Sequence, residues 1–185
     1  MIPCKDVQLK LYLPLDCKRL TLSDLLLSNS NAMHLNRDSV FCGQCTKKTP
    51  HQSKKDFNSD IFFVEIIRVI EKDKKWVKNP MKVSFSVCNL KLPDFSRSYK
   101  VIASCHHRGT VNSGHWFTKI LTANNVWYCL DDLMPKAIPT CPPGSDDDSV
   151  TVLLLAAEDI NFSLFSSVFS LCHLLSAHHF LVYLW

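Results

Sequence analysis

The chain has 185 residues and a formal net charge of +4, with 46% hydrophobic and 21% charged residues. These are ordinary values for a globular protein with one domain-sized core, and the small, scattered positive excess argues against a nucleic-acid partner. Glycine occurs only four times, which excludes the usual glycine-rich phosphate-binding loops.

The first predicted elements are a strand and a short helix. Residues 7–13 alternate between apolar and polar side chains, which predicts a half-buried strand. Thr21, followed three residues later by Asp24, predicts the capped start of a short helix. A polar stretch from Ser28 to Arg37 is predicted to follow this helix.

Further along the chain, strands dominate. Residues 61–70 form an apolar, β-branched and aromatic run that predicts a central strand buried on both faces. Asn124 and Asn125 predict a hairpin turn, because asparagine tolerates the left-handed conformation of tight turns. The remaining predicted strands are 81–87, 99–105, 115–121, 126–130 and 151–157. The fold class is therefore α+β or mainly β, with an antiparallel sheet.

The C-terminal end differs in composition from the rest. Residues 160–185 contain no Asp, Glu, Lys or Arg, and a run of this length could cross a bilayer, which needs about 20 residues. Serines and histidines dilute its hydrophobicity, and no basic flank marks an orientation. Two alternatives stay open for 161–185: membrane contact, or an alternatively spliced end outside any packed domain. We expect a domain at 1–158 and an apolar tail at 159–185.

The predicted hairpin carries the clearest chemistry. If it turns at residues 123–124, His115 faces Asp132 and Trp116 faces Asp131. The two strands then bring an imidazole and a carboxylate together, the pair in which an oriented base serves nucleophilic catalysis. A histidine beside a glycine and an aspartate in a turn also occur without catalysis, and a base alone is half a mechanism. Geometry alone leaves both interpretations open.

A longer pattern surrounds this pair. A strand led by Tyr99 is followed by His-x-Gly at 107–109, Gly-His-Trp at 114–116, and Trp127 leading into two aspartates. This order resembles the histidine box of the ubiquitin-specific proteases, with tryptophan where tyrosine is usual and one extra histidine. A weaker likeness, including Arg68 at the end of an apolar strand, extends over roughly residues 7–157.

The resemblance implies a papain-like cysteine protease fold, here its C-terminal, mostly antiparallel fingers and palm half, truncated at the N-terminus. It implies a thiol-dependent deubiquitinase that binds ubiquitin or ubiquitinated proteins and requires no cofactor for catalysis. His115 would be the general base, Asp131 would orient it, and Asp132 would be an auxiliary acid near the oxyanion region. The residues implied to bind the extended ubiquitin tail are Gly109, Gly114 and Trp116; a glycine at 114 would admit the tail close to the backbone.

The cysteines complicate this picture. There are nine, and an odd number without an apolar targeting run after Met1 argues against a secreted disulfide framework. We therefore expect a cytoplasmic or nuclear location. The family's nucleophile lies in an Asn-x-x-Cys-Tyr-like box, and no cysteine here has that context. We predict that the chain alone is inactive: either part of a true deubiquitinase, or a non-catalytic ubiquitin-binding or scaffold protein.

Cys42 and Cys45 have the two-residue spacing of a zinc knuckle. A closed structural zinc site needs four ligands, and this pair supplies two. Many ubiquitin-specific proteases carry two such pairs in the fingers. Two interpretations stay open: a pair without metal, or a structural zinc completed by an absent N-terminal part.

Overall fold

The computed structural model describes residues 8–15, 17–35, 40–41, 48–49, 59–92, 95–134, 136–144 and 147–160. Strands predominate within these ranges. In chain order the elements are β1 (Gln8–Tyr12), β2 (Arg19–Thr21), α1 (Leu22–Leu35), β3 (Val40–Phe41), β4 (Lys48–Thr49), β5 (Ile61–Ile67), β6 (Val69–Lys72), β7 (Lys75–Lys78), β8 (Lys82–Ser84), β9 (Leu90–Lys91), β10 (Ser98–Gly109), β11 (Gly114–Leu121), β12 (Trp127–Leu130), β13 (Ile138–Pro139) and β14 (Val150–Ala157).

One eight-stranded sheet organises the described part of the chain. Its strand order is β1-β5-β14-β10-β11-β12-β13, and β9 pairs with the start of β10. Its ladders are antiparallel except for the parallel pair of β1 and β5. Three two-stranded ladders, β2–β8, β3–β4 and β6–β7, lie outside it. The mostly antiparallel α+β fold is confirmed, whereas the parallel pairs β1–β5 and β2–β8 were not predicted.

The hydrophobic core lies on both faces of this sheet. On one face, helix α1 packs against the strands, and Leu11, Leu25 and Leu155 are fully buried there. Neighbouring residues of a strand point to opposite faces, so Leu154 belongs to a second, smaller cluster that includes Ile120. The central strands β10 and β14 are therefore held from both sides, which gives β11 and β12 a rigid neighbour.

Helix α1 begins as predicted and ends later than predicted. The backbone N–H of Asp24 donates to the Thr21 hydroxyl oxygen at 3.1 Å, and that hydroxyl donates to the Asp24 carboxylate at 2.6 Å. The helix continues to Leu35, so the prediction of a short helix that ends before the polar stretch from Ser28 to Arg37 is wrong. The Ser28 hydroxyl donates to the carbonyl of Leu25 at 2.9 Å, which satisfies this polar side chain within the helix.

The strand predicted for 61–70 is interrupted at Arg68, between β5 and β6. Residues of β5 alternate between buried and half-buried, so the prediction of burial on both faces is also wrong. Arg68 is buried, and its guanidinium donates to four main-chain carbonyls, including those of Val150 at 2.6 Å and Met81 at 2.7 Å. A buried charge needs such partners. Burial lowers the pKa of Arg68 to about 10, against the opposing effect of two nearby aspartates.

The other predicted strands appear with changed ends. Strands β10, β11, β12 and β14 match the predictions for 99–105, 115–121, 126–130 and 151–157, with β10 extended to Gly109. The strand predicted for 81–87 is shorter and becomes β8. The described part of the chain has no helix that is both long and apolar enough to cross a membrane. The tail prediction for 161–185 lies outside the described residues, and the boundary at 158 stays a prediction.

Candidate active site

The hairpin of β11 and β12 forms, one residue out of the predicted register. Thr118 pairs with Leu130, whereas a turn at residues 123–124 would have paired Thr118 with residue 129. The turn closes between Thr122 and Val126, and Asn125 takes the left-handed conformation with φ 58°. The loop therefore holds three residues instead of two. Pairing stops at Leu130, so neither aspartate lies in the ladder, and the predicted pairing of His115 with Asp132 is wrong.

His115 and Asp131 nevertheless meet at the open end of the hairpin. His115 Nε2 lies 2.8 Å from Asp131 Oδ1, and Asp132 Oδ1 lies 3.7 Å from His115 Nδ1. A carboxylate accepts hydrogen bonds, so Nε2 carries the proton and Nδ1 keeps its lone pair. About one third of the His115 side chain is exposed. This arrangement is an oriented imidazole with an accessible basic nitrogen, as general-base catalysis requires.

The corner after β12 holds the Asp131 carboxylate in place. Asp131 Oδ1 accepts a hydrogen bond from the backbone N–H of Leu133 at 3.0 Å, and the Asp131 carbonyl accepts one from Met134 at 2.9 Å. Asp132, by contrast, is exposed over 79% of its side chain. The structure therefore distinguishes a fixed carboxylate that orients His115 from a solvated one beside its free nitrogen.

A tight turn joins β10 to β11 just before His115. Thr110 and Ser113 close it by a backbone hydrogen bond of 2.7 Å and two bonds through the Thr110 hydroxyl. Gly109 has φ +121°, and a Cβ there would lie 2.4 Å from the Ser113 carbonyl oxygen. A Cβ on Gly114 would lie 2.0 Å from His107 Nε2. The same Cβ would lie 2.5 Å from the carbonyl oxygen of Arg108. The close approach of the two backbones therefore requires glycine at both positions, a reason the sequence did not show.

The family profile described as ubiquitin carboxyl-terminal hydrolase matches residues 24–153, which include the whole hairpin and its two flanking aspartates. The chain belongs to the ubiquitin carboxyl-terminal hydrolase family. This agrees with the resemblance to the ubiquitin-specific proteases seen in the sequence. No curated protein matches the chain.

Solved structures show the same fold. The chain is similar to the SAGA DUB module Ubp8/Sgf11/Sus1/Sgf73 bound to monoubiquitin, with TM-score 0.60 and 18% identity over 83% of this chain and 36% of that chain. The same module bound to ubiquitin aldehyde matches with TM-score 0.58 and 16% identity over 83% and 36%. A yeast SAGA DUB module with an Sgf73 mutant matches with TM-score 0.57 and 16% identity over 83% and 34%. The chain thus spans about a third of the length of these chains.

Trp116, predicted to bind the ubiquitin tail, lies on one face of the sheet and packs against a neighbouring ring. It pairs across the ladder with His107, and the two ring centroids lie 4.6 Å apart. Since neighbouring strand residues point to opposite faces, the Trp116 ring lies on the face away from His115. Burial, Lys78 and His115 together lower the pKa of His107. A direct contact of Trp116 with ubiquitin stays a prediction.

The sequence did not show the polar groups on the other side of the 109–114 turn. Lys78 reaches the end of β10 and donates from Nζ to the carbonyl of His107. Burial and the neighbouring Arg68 lower the pKa of Lys78. A groove of about 470 Å³ opens there, lined by residues that include Trp76, Lys78 and Asp148.

The described cysteines offer His115 no activated thiol. Burial raises the pKa of Cys105, and a contact with Thr118 opposes this effect. Burial and Asp131 raise the pKa of Cys129. A nucleophilic thiol needs the opposite shift. Within the described ranges, the polar partners of His115 are two carboxylates and no thiol. That the chain lacks the nucleophile stays a prediction.

Two metal hypotheses concern different parts of the chain. The ligand atoms of His115, Asp131 and Asp132 lie within 4.8 Å of one another, so a divalent cation could contact all three. Such a cation would occupy the lone pair that a base needs. The zinc hypothesis for Cys42 and Cys45 falls outside the described residues, although the strands β3 and β4 on either side of them pair with each other. It stays a prediction.

Proposed function

We propose that this chain supplies the base-bearing half of a thiol-dependent deubiquitinase. The observation that carries the proposal is the 2.8 Å bond between His115 and Asp131 in a chain of this family. The bond assigns the proton to Nε2 and leaves the lone pair on Nδ1, which lies 3.7 Å from Asp132 Oδ1, in a side chain that is about one third exposed. A binding module would have no need of an imidazole fixed in one tautomer by a carboxylate that is itself held in place.

In the proposed reaction, His115 Nδ1 takes the proton of a cysteine thiol. The thiolate sulfur attacks the carbonyl carbon at the C-terminus of ubiquitin. The C–N bond then breaks, and the imidazolium returns its proton to the leaving lysine amine. Water, deprotonated by His115, releases ubiquitin from the acyl-enzyme, and Asp131 stabilises the imidazolium in both halves of the cycle. We assign Asp132 the part of an exposed auxiliary acid beside Nδ1.

The nucleophile and the ubiquitin contacts complete the proposal. The thiol comes from a cysteine-bearing segment that packs beside the hairpin, because the raised pKa values of Cys105 and Cys129 are wrong for a nucleophile. The exposed turn between Gly109 and Gly114 lies over the extended tail of ubiquitin. The two glycines themselves carry no side chain at the ends of this turn, which suits close approach by another extended chain.

A ubiquitin probe with a C-terminal thiol-reactive group tests this function. The chain is incubated with the probe alone and together with a cysteine-bearing N-terminal segment of the same kind of catalytic domain. We expect no labelling of the chain alone, and labelling of the added segment when both are present. His115→Ala should reduce that labelling by a factor of about 10²–10⁴, the usual contribution of a general base.

Two outcomes would contradict the proposal in different ways. Labelling of the chain alone that disappears in His115→Ala would place an activated nucleophile among its own nine cysteines. Labelling of the added segment that does not depend on His115 would remove the base from the mechanism. Asp131→Asn serves as the matched variant, because it keeps the size of the side chain, removes its negative charge and replaces one acceptor oxygen by a donor.

A second function, non-catalytic binding of ubiquitin, is favoured by the lack of a thiol among the described partners of His115. It predicts that the chain binds ubiquitin, and that the probe labels neither the chain alone nor the chain together with the added segment. In that case, binding measured by titrating isotopically labelled ubiquitin should be the same for the wild-type chain and for Asp131→Asn.

A further inference from the structure

A second histidine–aspartate pair is buried beneath the end of β10. The ring of His106 is fully buried. Its Nε2 lies 2.8 Å from the Ser104 hydroxyl, and its Nδ1 lies 3.1 Å from both the Ser149 hydroxyl and Asp147 Oδ2. Both ring nitrogens therefore have polar partners in a place that water does not reach.

The hydrogen bonds assign the protons of this cluster. Asp147 accepts from the backbone N–H groups of Ser149 and Val150, at 2.7 and 3.1 Å, and from the Ser149 hydroxyl. Burial alone would raise the pKa of Asp147, but hydrogen bonds from His106 and Ser149 outweigh it and lower the pKa. A carboxylate only accepts, so His106 carries its proton on Nδ1, and Nε2 accepts from Ser104.

Serine, histidine and aspartate stand here in the order that a serine hydrolase uses. Ser104 and His106 are both 0% exposed, so no substrate can reach the hydroxyl. A hydrolytic role is thereby excluded for this face of the sheet, and the cluster must be explained by what it holds in place.

What it holds is the irregular end of β10. The ladder of β10 with β14 shifts register between Cys105 and His106, a bulge. Around it, the Thr151 hydroxyl donates to the Cys105 carbonyl at 3.1 Å, and the His107 N–H donates to the Ser149 carbonyl at 2.9 Å. Bulges bend a strand and re-aim the side chains beyond them. The side chains beyond this bulge belong to the segment that pairs with the strand carrying His115.

Ring contacts connect the cluster to His115. His106 pairs across the ladder with Phe117, and the two rings stack with centroids 4.8 Å apart and planes 8° apart. The Arg108 guanidinium carbon lies 4.6 Å from the centre of the same Phe117 ring. Arg108 is in turn the cross-strand partner of His115. His115 and Phe117 lie two residues apart on β11 and point to the same face. A displacement of the Phe117 ring therefore also shifts the part of the strand that carries His115.

We propose that His106 is a positioning residue: its buried hydrogen bonds and its stack on Phe117 hold β11 in the place where His115 reaches Asp131. The catalytic consequence rests on the function proposed above. The positioning itself is a property of the isolated chain and is tested without any activity measurement, so the two proposals fail separately.

The test follows the ring nitrogens of His115 in the full chain labelled with ¹⁵N on histidine. In the wild type, we expect His115 to be protonated on Nε2 through its bond to Asp131. In His106→Leu, which removes the hydrogen bonds and the stack, the population ratio in favour of this tautomer should fall at least about tenfold, as expected for loss of a charge-assisted hydrogen bond. His106→Gln, which keeps a planar group and a donor, should retain most of the wild-type ratio.

Two further variants keep the test decisive. Cys105→Ala changes a buried neighbour on the opposite face of β10 and should leave the His115 signals unchanged. If His106→Leu does not fold, as judged by circular dichroism and thermal unfolding, Phe117→Leu decides, because it removes the stack and leaves the hydrogen bonds of His106 intact. The proposal is overturned if a folded His106→Leu, or in its place Phe117→Leu, leaves the His115 tautomer at the wild-type ratio, or if Cys105→Ala shifts it equally.

Discussion

The two histidine–aspartate pairs of this molecule share their chemistry and differ in exposure. His106 is sealed, both of its nitrogens have partners, and its carboxylate is held by a serine and a backbone turn. His115 is about one third exposed, and one carboxylate fixes Nε2 while Nδ1 stays accessible. The comparison teaches that the imidazole–carboxylate contact alone does not identify a catalytic base. A catalytic base is identified by an accessible ring nitrogen and by room for a substrate beside it.

Position in the sheet explains why the two sites differ. His106 lies in the centre of the sheet, where β10 has a neighbour on each side and a packed core beneath it. His115 is the second residue of β11, in the part of the strand that does not pair with β12. A buried polar group such as the His106 ring needs hydrogen-bond partners for all of its polar atoms. A part-exposed group such as the His115 ring can keep a free lone pair at little cost, because water reaches it.

The largest expected effect tests whether His115, unlike His106, has a catalytic role. His115→Ala should lower probe labelling in the two-part assay by a factor of about 10²–10⁴, while the free energy of unfolding changes by about 1 kcal/mol or less, the net value of one hydrogen bond. Asp132→Asn is the control at the same corner, and it should cost less labelling than Asp131→Asn. A large loss of stability in His115→Ala would show that this histidine is structural, like His106.

The next largest effect tests whether the buried cluster of His106 and Asp147 stabilises the fold. Asp147→Ala removes the acceptor of several hydrogen bonds at the start of β14, takes the paired carboxylate from His106, and leaves Arg68 with one of its two nearby aspartates. We expect a loss of about 3 kcal/mol or more in the free energy of unfolding, measured by urea denaturation. Its exposed neighbour supplies the control, and Asp148→Ala should stay within about 0.5 kcal/mol of the wild type. Equal effects of the two substitutions would contradict the assigned role of Asp147.

The same carboxylate predicts a pH dependence. The folded-state pKa of Asp147 lies below its unfolded value, so its contribution to stability is complete above the unfolded pKa of about 3.9 and is lost as the pH falls toward the folded value. The difference in unfolding free energy between the wild type and Asp147→Asn should therefore be largest near neutral pH and shrink below about pH 4. A difference that stays constant from pH 7 to pH 3 would mean that the carboxylate is not selectively stabilised by folding.

Much of this architecture could be read from the sequence, and the failures have physical causes. Alternation and β-branched runs predicted the main strands, and the histidine box predicted the contact of His115 with Asp131. Register failed by one residue because it depends on which asparagine takes the left-handed conformation. The prediction of one unbroken strand at 61–70 was wrong at Arg68, because hydrophobic periodicity does not show where a buried cation finds its hydrogen-bond acceptors. The His106 cluster was invisible because Ser149 and Asp147 are more than 40 residues away along the chain.

The glycine turn sharpens the comparison, since it stands between the two sites. Gly109→Ala would force a side chain to φ +121° and bring its Cβ to 2.4 Å from a carbonyl oxygen. We expect a loss of about 1–3 kcal/mol in unfolding free energy, together with a disturbed His115 tautomer, because β11 begins directly after the turn. Gly144→Ala is the matched control: nothing lies within 4 Å of its Cβ position, so stability should not fall. A wild-type His115 spectrum in Gly109→Ala would show that the turn does not set the position of β11.

The smallest expected effect lies at the far end of the same hairpin. Asn125 has φ 58°, a conformation that costs most side chains about 1 kcal/mol and asparagine less. Asn125→Ala should therefore lower the unfolding free energy by about 1 kcal/mol, whereas Asn125→Gly should leave it nearly unchanged. Because the His115–Asp131 corner is held by its own hydrogen bonds to Leu133 and Met134, neither substitution should alter the His115 tautomer. If Asn125→Ala shifts that tautomer, the register at the turn controls the base directly, and the support assigned to the buried cluster is correspondingly smaller.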